Sequence, residues 1–131
     1  FKFIDGTADW KVYTNAKYGF EFKYPNDWKL ATSDLYAEVA PSLELGHNVY
    51  FEVAKMERSF DDEKADLMRY DKYTLKDINI SGVSGTEFIY GDDIHIQHSI
   101  YLNRNGTLYR ITYWPKIQET SQILSIFKFI K

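Results

Sequence analysis

The most constraining feature of the sequence is an Asn-Gly pair at positions 105 and 106, which separates two segments of alternating polar and apolar residues. Asn-Gly readily adopts the positive φ angles that a two-residue hairpin turn requires. Such a turn would place Arg104 opposite Thr107, and Ile100 opposite Ile111. The sequence therefore predicts an antiparallel hairpin over residues 94–114.

The alternation also assigns the hairpin residues to two faces, because successive side chains of a strand point in opposite directions. We predict that the mostly apolar face belongs to the core. Its members are Ile94, Ile96, His98, Ile100, Leu102, Tyr109, Ile111 and Tyr113. The other face is mainly polar and carries His95, Gln97, Ser99, Tyr101, Arg110, Thr112 and Trp114.

A second alternating segment, YGFEFKYPNDW, begins at position 18 and carries aromatic rings at every other residue. The rings could form a ligand platform or one buried face of a strand. A buried ring removes about 150–250 Å² of surface from water, and four exposed rings in a row would form an aggregation-prone patch. We therefore predict a core strand, which ends at Pro25. Its rings are Tyr18, Phe20, Phe22 and Tyr24.

Further elements follow from local signals. Short strands are predicted over residues 28–30 and 47–57, and two more around Gly82 and Gly85 in residues 78–90. Ser59 is followed by acidic residues and predicts the start of a helix to about residue 70, with Ala65 and Met68 facing inward. A C-terminal helix, capped by Thr120 or Ser121, is predicted to bury Ile123, Leu124 and Phe127.

These elements predict one domain over residues 1–131, with a lead-in segment over residues 1–15. Tight hairpins dominate, so the fold class is predicted as α+β with an antiparallel sheet. The aromatic content of 18% agrees with a sheet-rich chain. The sequence has no cysteine, which excludes disulfides and thiolate ligands.

Charge and hydropathy restrict the partners. A formal net charge of −3 disfavours nucleic acid, whose binding requires basic patches. No apolar run approaches the ~20 residues that span a bilayer, so we predict no transmembrane segment in this chain. Because the sequence begins with Phe1, we expect an upstream segment that could carry a signal or a membrane anchor.

Several segments together resemble the PsbP-like superfamily. The segment YGFEFKYPNDW is similar to the opening Gly-Phe strand of that family, which runs into Tyr-Pro, a turn and a Trp. VYFEVAKME, INISGVSGTEFIYG, YLNRNGTLYRITY and the terminal ILSIFKFIK follow in the family's order. The resemblance covers about residues 16–131 and implies an antiparallel sheet flanked by helices, an α/β/α sandwich. It implies no catalytic residue and no cofactor, and the short bacterial extracytoplasmic or lipoprotein members are the most similar.

Two weak sites for ligands can be named. Asp93 and His95 fall on one face of a strand and could bind a metal ion together, whereas His98 falls on the opposite face. A solvated His95 and a hydrogen-bonded His98 are the simpler interpretation. Surface aromatic residues could instead stack on a small ligand or a glycan, the candidates being Trp10, Trp28 and Trp114.

Three functions remain open from the sequence. The first is a non-enzymatic, extracytoplasmic domain that binds a protein or cell-envelope partner. The second is recognition of a small ligand or glycan through the tryptophans. The third is a serine hydrolase built on Ser84, although Gly82-Val-Ser84-Gly85 lacks the spacing of a nucleophile elbow. We favour the first and predict that the chain is not an enzyme.

Overall fold

The structure is a computed structural model that describes residues 9–42, 50–69, 73–91, 96–114 and 117–130. These residues form two antiparallel sheets and two helices. The strands are β1 (Lys11–Asn15), β2 (Phe20–Tyr24), β3 (Lys29–Thr32), β4 (Tyr36–Ala40), β5 (Phe51–Lys55), β6 (Tyr73–Ile80), β7 (Val83–Gly91), β8 (Ile96–Arg104), β9 (Thr107–Tyr113) and β10 (Lys128–Phe129). The helices are α1 (Phe60–Leu67) and α2 (Gln118–Ile126).

The larger sheet has seven strands in the order β3-β4-β5-β9-β8-β7-β6, and the smaller has the order β1-β2-β10. The small sheet and α2 cover one face of the large sheet, which we call the inner face. The main core lies between them and contains Phe20, Phe22, Phe51, Ile100 and Ile123. The α+β fold predicted from the hairpins is thus confirmed.

The opposite face of the large sheet, which we call the outer face, lies under α1. Leu67 and Phe60 of this helix pack on Phe88, Tyr101 and Leu108 of three adjacent strands. The layers are therefore α1, the large sheet, and then the small sheet with α2. Because helices cover both faces, both faces of the central strands bury side chains.

The predicted β8–β9 hairpin is confirmed in register and in turn. Arg104 pairs with Thr107, Ile100 with Ile111 and His98 with Tyr113. The turn residues have φ angles of +55° and +83°, as a type I′ turn requires. The mainly polar face, not assigned to the core from sequence, is also buried at Ser99, Tyr101 and Thr112, since it lies on the outer face with α1 and Tyr90 above it.

The aromatic strand is a core strand, with one correction. Phe20, Phe22 and Tyr24 are buried, which confirms the core interpretation for these rings. Tyr18 lies in the turn before β2 and is half-buried, because Gly19, at a φ of +75°, changes the direction of the chain between Tyr18 and Phe20. The Phe22 ring contacts Phe51 of the large sheet at a centroid distance of 5.2 Å, which joins the two sheets.

The predicted start of helix α1 is confirmed, but its predicted buried face is wrong. Ser59 does cap α1, since its Oγ accepts a hydrogen bond from the Asp62 amide at 3.1 Å. Ala65 and Met68 are exposed, however, because the helix rotates Glu63 and Leu67 toward the sheet instead.

The predicted cap of the C-terminal helix was also wrong. The N-cap position of α2 is Ile117, and Thr120 lies within the first turn, where its hydroxyl is within hydrogen-bond distance of the backbone oxygens of Trp114 and Ile117. The burial of Ile123 and Phe127 is as expected.

Residues 78–90 contain the two predicted strands, which pair as a hairpin, but only Gly82 lies between them. The turn lies at Ser81 and Gly82, and Gly85 lies inside β7. A Cβ atom at position 85 would lie 2.2 Å from the backbone oxygen of Tyr101, so only glycine permits this approach of β7 to β8. The strands β4 and β10 were not anticipated from the sequence.

Candidate functional site

The three candidate tryptophans do not form one surface. Trp28 is buried in the core at 7% exposure, and Trp10 packs against the same core before β1. Trp114 follows β9, and its ring contacts Tyr50 edge-to-face at 6.0 Å. A ligand could therefore not stack on all three rings at once, and their role in binding stays a prediction.

The predicted metal pair, Asp93 and His95, lies outside the described residues. Within the ranges that the structure describes, no cluster of three or more histidine, aspartate or glutamate side chains could hold a metal ion. Ser84 is exposed on β7, where it pairs with Asn79. It lies on the outer face, whereas His98 lies on the inner face, so the sheet separates these two side chains.

The most unusual polar group on the inner face is Glu87 of β7, which is only 1% exposed. Its Oε2 accepts a hydrogen bond of 2.5 Å from the Tyr113 hydroxyl and lies 2.9 Å from His98 Nδ1. Lys76 Nζ lies 3.4 Å from Oε1. Three neighbouring strands thus supply the partners that a buried carboxylate requires.

These partners determine the ionisation of the cluster. Burial alone would raise the pKa of Glu87, but hydrogen bonds from His98 and Tyr113 and the charge of Lys76 hold that pKa below its usual value. Burial, together with the carboxylate, raises the pKa of Tyr113, which therefore stays a proton donor. Glu87 is therefore ionised at neutral pH, and its carboxylate contacts His98 through the Nδ1 atom of the ring.

A groove opens on the other side of the large sheet, beside the start of α1. We call it the outer-face groove; it has a volume of about 550 Å³. Leu35 lines it and is 42% exposed. The remaining lining residues are Ser33, Tyr36, Glu52, Ala54, Lys55, Met56, Glu57, Arg58 and Arg110. The groove therefore combines apolar side chains with a rim of both charge signs.

Arg110 lies at the floor of the groove and is held in place by Glu52. Arg110 Nη2 donates to Glu52 Oε1 at 3.2 Å. Burial lowers the pKa of Arg110, but Glu52, with smaller effects of Tyr101 and Tyr90, raises that pKa overall. The Nε atom of Arg110 is buried and has no hydrogen-bond partner among the described residues.

At the edge of the groove, Arg58 is fixed by α1. Its Nη1 atom bonds Asp66 Oδ2 at 2.6 Å, and its Nη2 atom donates to the Asp62 carbonyl oxygen at 2.8 Å. The hydrogen bond that Arg58 donates to Asp66 raises the pKa of Arg58, and the same contact lowers the pKa of Asp66. The rim beside the helix is therefore an ordered arginine rather than a free side chain.

The arrangement of sheets and helices has a counterpart among solved structures. Cyanobacterial PsbP (CyanoP) from Synechocystis sp. PCC 6803, known from a solution structure, matches with a TM-score of 0.57. The match covers 95% of this chain and 94% of that chain at 16% sequence identity. The chain has a PsbP-like fold.

A second structural match is weaker. The crystal structure of PA94 from Pseudomonas aeruginosa, a protein of unknown function, matches with a TM-score of 0.37 at 14% identity. It covers 82% of this chain and 84% of that chain, and supports no argument about the fold. No family model matches the chain, and no curated protein matches its sequence.

In this PsbP-like fold, sequence reasoning missed Glu87 and the outer-face groove. The signal for Glu87 was present: in β7 it has the same phase as Val83 and Ile89, so a charged residue occupies a position on the apolar face. The groove had no comparable signal. It forms where Leu35, Met56 and Arg110 meet from separate parts of the chain. Only the pairing of β4, β5 and β9 brings them together.

Proposed function

We propose that this chain is a non-enzymatic binding domain for a protein partner of the cell envelope, and that it acts outside the cytoplasm. The observation that carries the proposal is the outer-face groove. Protein interfaces are enriched in tyrosine, methionine and arginine, with a polar rim around an apolar centre. Tyr36, Met56 and Arg58 line this groove together with the exposed Leu35.

The location is supported by the resemblance of the sequence to secreted and lipoprotein members of the PsbP-like superfamily. No helix in the described part of the chain is long and apolar enough to cross a membrane. Fractionation of cells that express the native gene tests the location. Recovery in the envelope or the medium is expected, whereas recovery with cytosolic markers would contradict it.

Substitution of Leu35 tests the groove. Leu35→Asp introduces a charge into the apolar part of the lining, and we expect it to abolish binding because a carboxylate buried without a partner in the complex is costly. Val12→Asp is the matched control, since Val12 is 54% exposed on β1, away from the groove. Both variants should retain the wild-type melting temperature, because the substituted side chains are exposed.

The measurement is capture from an envelope extract on the immobilised domain, with the bound proteins quantified by mass spectrometry. A partner retained by the wild type and by Val12→Asp, and lost with Leu35→Asp, supports the proposal. Equal capture by all three proteins, or no capture above the resin alone, contradicts it.

The other two functions stay predictions with direct tests. Titration of tryptophan fluorescence with a glycan panel tests the stacking hypothesis, and an unchanged spectrum at millimolar ligand contradicts it. Assays of esterase and peptidase activity with Ser84→Ala test the hydrolase hypothesis. An activity that disappears in this variant would contradict our proposal of a non-enzymatic domain.

A further inference from the structure

A second cavity lies at the tip of the β8–β9 hairpin, next to the turn between β1 and β2. We call it the hairpin-tip pocket; its volume is about 450 Å³. From its chemistry, we propose that this pocket binds a small organic anion through a phosphate or carboxylate group. The volume is typical of small-molecule sites, which measure about 300–1,000 Å³. Its lining residues are Ala16, Lys17, Tyr18, Gly19, Arg104, Asn105, Thr107, Tyr109 and Ile130.

The charge of the pocket is opposite to that of the whole chain. Lys17 and Arg104 line it, and none of the lining residues that the structure describes is acidic. Lys17 Nζ lies 5.2 Å from the centroid of the Tyr18 ring, which also lines the pocket. The chain as a whole has a formal net charge of −3. Cations collected at one concave place on an acidic protein favour an anionic ligand.

Arg104 is held in position by contacts other than an ion pair with any carboxylate in the described part of the chain. Its Nη1 atom donates to the backbone oxygen of Gly19 at 3.1 Å and contacts that of Tyr18 at 3.4 Å. Its guanidinium carbon lies 4.7 Å from the centroid of the Phe129 ring. These contacts fix the plane of the group, so little conformational entropy is lost when a ligand binds.

The remaining nitrogens of Arg104 decide the class of ligand. Both hydrogen-bond contacts described for Arg104 involve Nη1, and Nε and Nη2 together form another edge of the guanidinium. That edge matches two oxygens of a carboxylate or a phosphate in a bidentate pair. Lys17 is exposed and supplies a second charge at the same pocket.

The rest of the lining suits an apolar or aromatic body. The Tyr18 and Tyr109 rings meet edge-to-face at a centroid distance of 6.4 Å. The Tyr109 hydroxyl is occupied, since it donates to the Tyr18 backbone oxygen at 3.3 Å. Ile130 completes this side of the pocket. A ligand such as an aryl phosphate or an aryl carboxylate satisfies both parts of the site.

Titration of the ¹⁵N-labelled protein with phenyl phosphate and with benzoate, at constant ionic strength, tests the site. We expect saturable shifts at the Arg104 Nε signal and at the Asn105 and Gly106 amides. Lys17→Gln should weaken binding about fivefold, the effect of one partly screened charge. Arg104→Lys keeps the charge but loses the bidentate edge, so it should weaken binding further. Lys29→Gln, on exposed β3, is the control and should change nothing.

The contrary results are distinct. Shifts that do not saturate, or that sodium chloride reproduces, would overturn the proposal, as would equal weakening by Lys29→Gln. Co-sedimentation with phosphatidylglycerol vesicles separates a lipid headgroup from a free anion, and vesicle binding without phenyl phosphate binding would also overturn it. Leu35→Asp should leave these shifts unchanged, so a failure here is separate from a failure of the protein-binding proposal.

Discussion

Glu87 illustrates how the fold accommodates one buried charge on its apolar face. The carboxylate receives its contacts from Lys76 on β6, His98 on β8 and Tyr113 on β9. Removal of a partner from a buried charge costs more than the same contact contributes at a surface. The side chain therefore ties together four strands of the large sheet, and its ionisation links sheet stability to pH.

The pH dependence can be predicted with its sign. The pKa of Glu87 is lower in the folded chain than in the unfolded chain, where it is about 4.3. Its stabilisation is therefore present above that unfolded value and is lost as the pH falls through the folded value. Glu87→Gln should cost about 1–3 kcal/mol at pH 7 and should flatten the acid limb of the stability curve.

Urea unfolding at a series of pH values between neutral and acid provides the measurement. Glu57→Gln is the matched control, because the Glu57 side chain is 63% exposed. Its carboxylate makes a long ion pair with Lys55, with 3.8 Å between Oε1 and Nζ. That variant should follow the wild-type profile. Parallel profiles for the wild type and Glu87→Gln would contradict the role given to the buried carboxylate.

The aromatic residues of β2 carry a second prediction at the residue scale. Phe20 and Phe22 are 2% and 1% exposed. Truncation of either to alanine should cost about 3–5 kcal/mol, because it leaves a cavity between the two sheets. Lys23→Ala, on the opposite face of the same strand, should change stability by about 0.5 kcal/mol at most. Thermal melts compare the three variants, and unchanged melting of both Phe variants would refute the core assignment.

At the scale of the element, β7 and β8 approach each other unusually closely at one position. Gly85 faces the backbone oxygen of Tyr101 across this pair, with 2.2 Å between that oxygen and a Cβ added at Gly85. A side chain at position 85 would meet the backbone of β8, so it could be accommodated only if β7 and β8 moved apart. The position therefore limits how β7 can pair with the rest of the sheet.

Gly85→Ala should consequently destabilise the domain by about 3 kcal/mol, the upper end of the usual cost of overpacking. Ser84→Ala, one residue earlier and exposed, should lie within about 0.5 kcal/mol of the wild type. Denaturant midpoints of the two variants provide the comparison. If Gly85→Ala unfolds at the wild-type midpoint, the close approach of the strands does not constrain the sheet.

Elements with a local signal were predictable from the sequence. The Asn105-Gly106 turn determines the register of β8–β9 by itself, and Ser59 determines the start of α1. The two-residue strand β10 was not predictable, because Lys128 and Phe129 become a strand only through pairing with β2. Burial of Ser99 and Thr112 was missed for the same reason, since it depends on a layer contributed by other segments.

At the scale of the molecule, the large sheet has two edges, β3 and β6. The β6 edge is eight residues long, and Tyr73 and Leu75 on it are each 38% exposed. Lys76 and Asp77 interrupt its apolar residues, and charged residues on an edge oppose pairing with a second molecule. Both proposed sites lie elsewhere, one beside α1 and one at the hairpin tip.

The pairing of β10 with β2 has a kinetic consequence. Glu21 and Lys128 pair although they lie far apart in the sequence, whereas consecutive strands from β6 to β9 are close together along the chain. Forming a contact between distant segments costs loop-closure entropy. We therefore expect strands β6 to β9 to pair before the small sheet forms. Phe129→Ala, which removes ring contacts with Tyr109 and Phe127, should then raise the unfolding rate roughly tenfold and leave the refolding rate unchanged. Stopped-flow kinetics measure both rates, and slower refolding in this variant would mean that the two ends of the chain meet early, before the barrier is crossed.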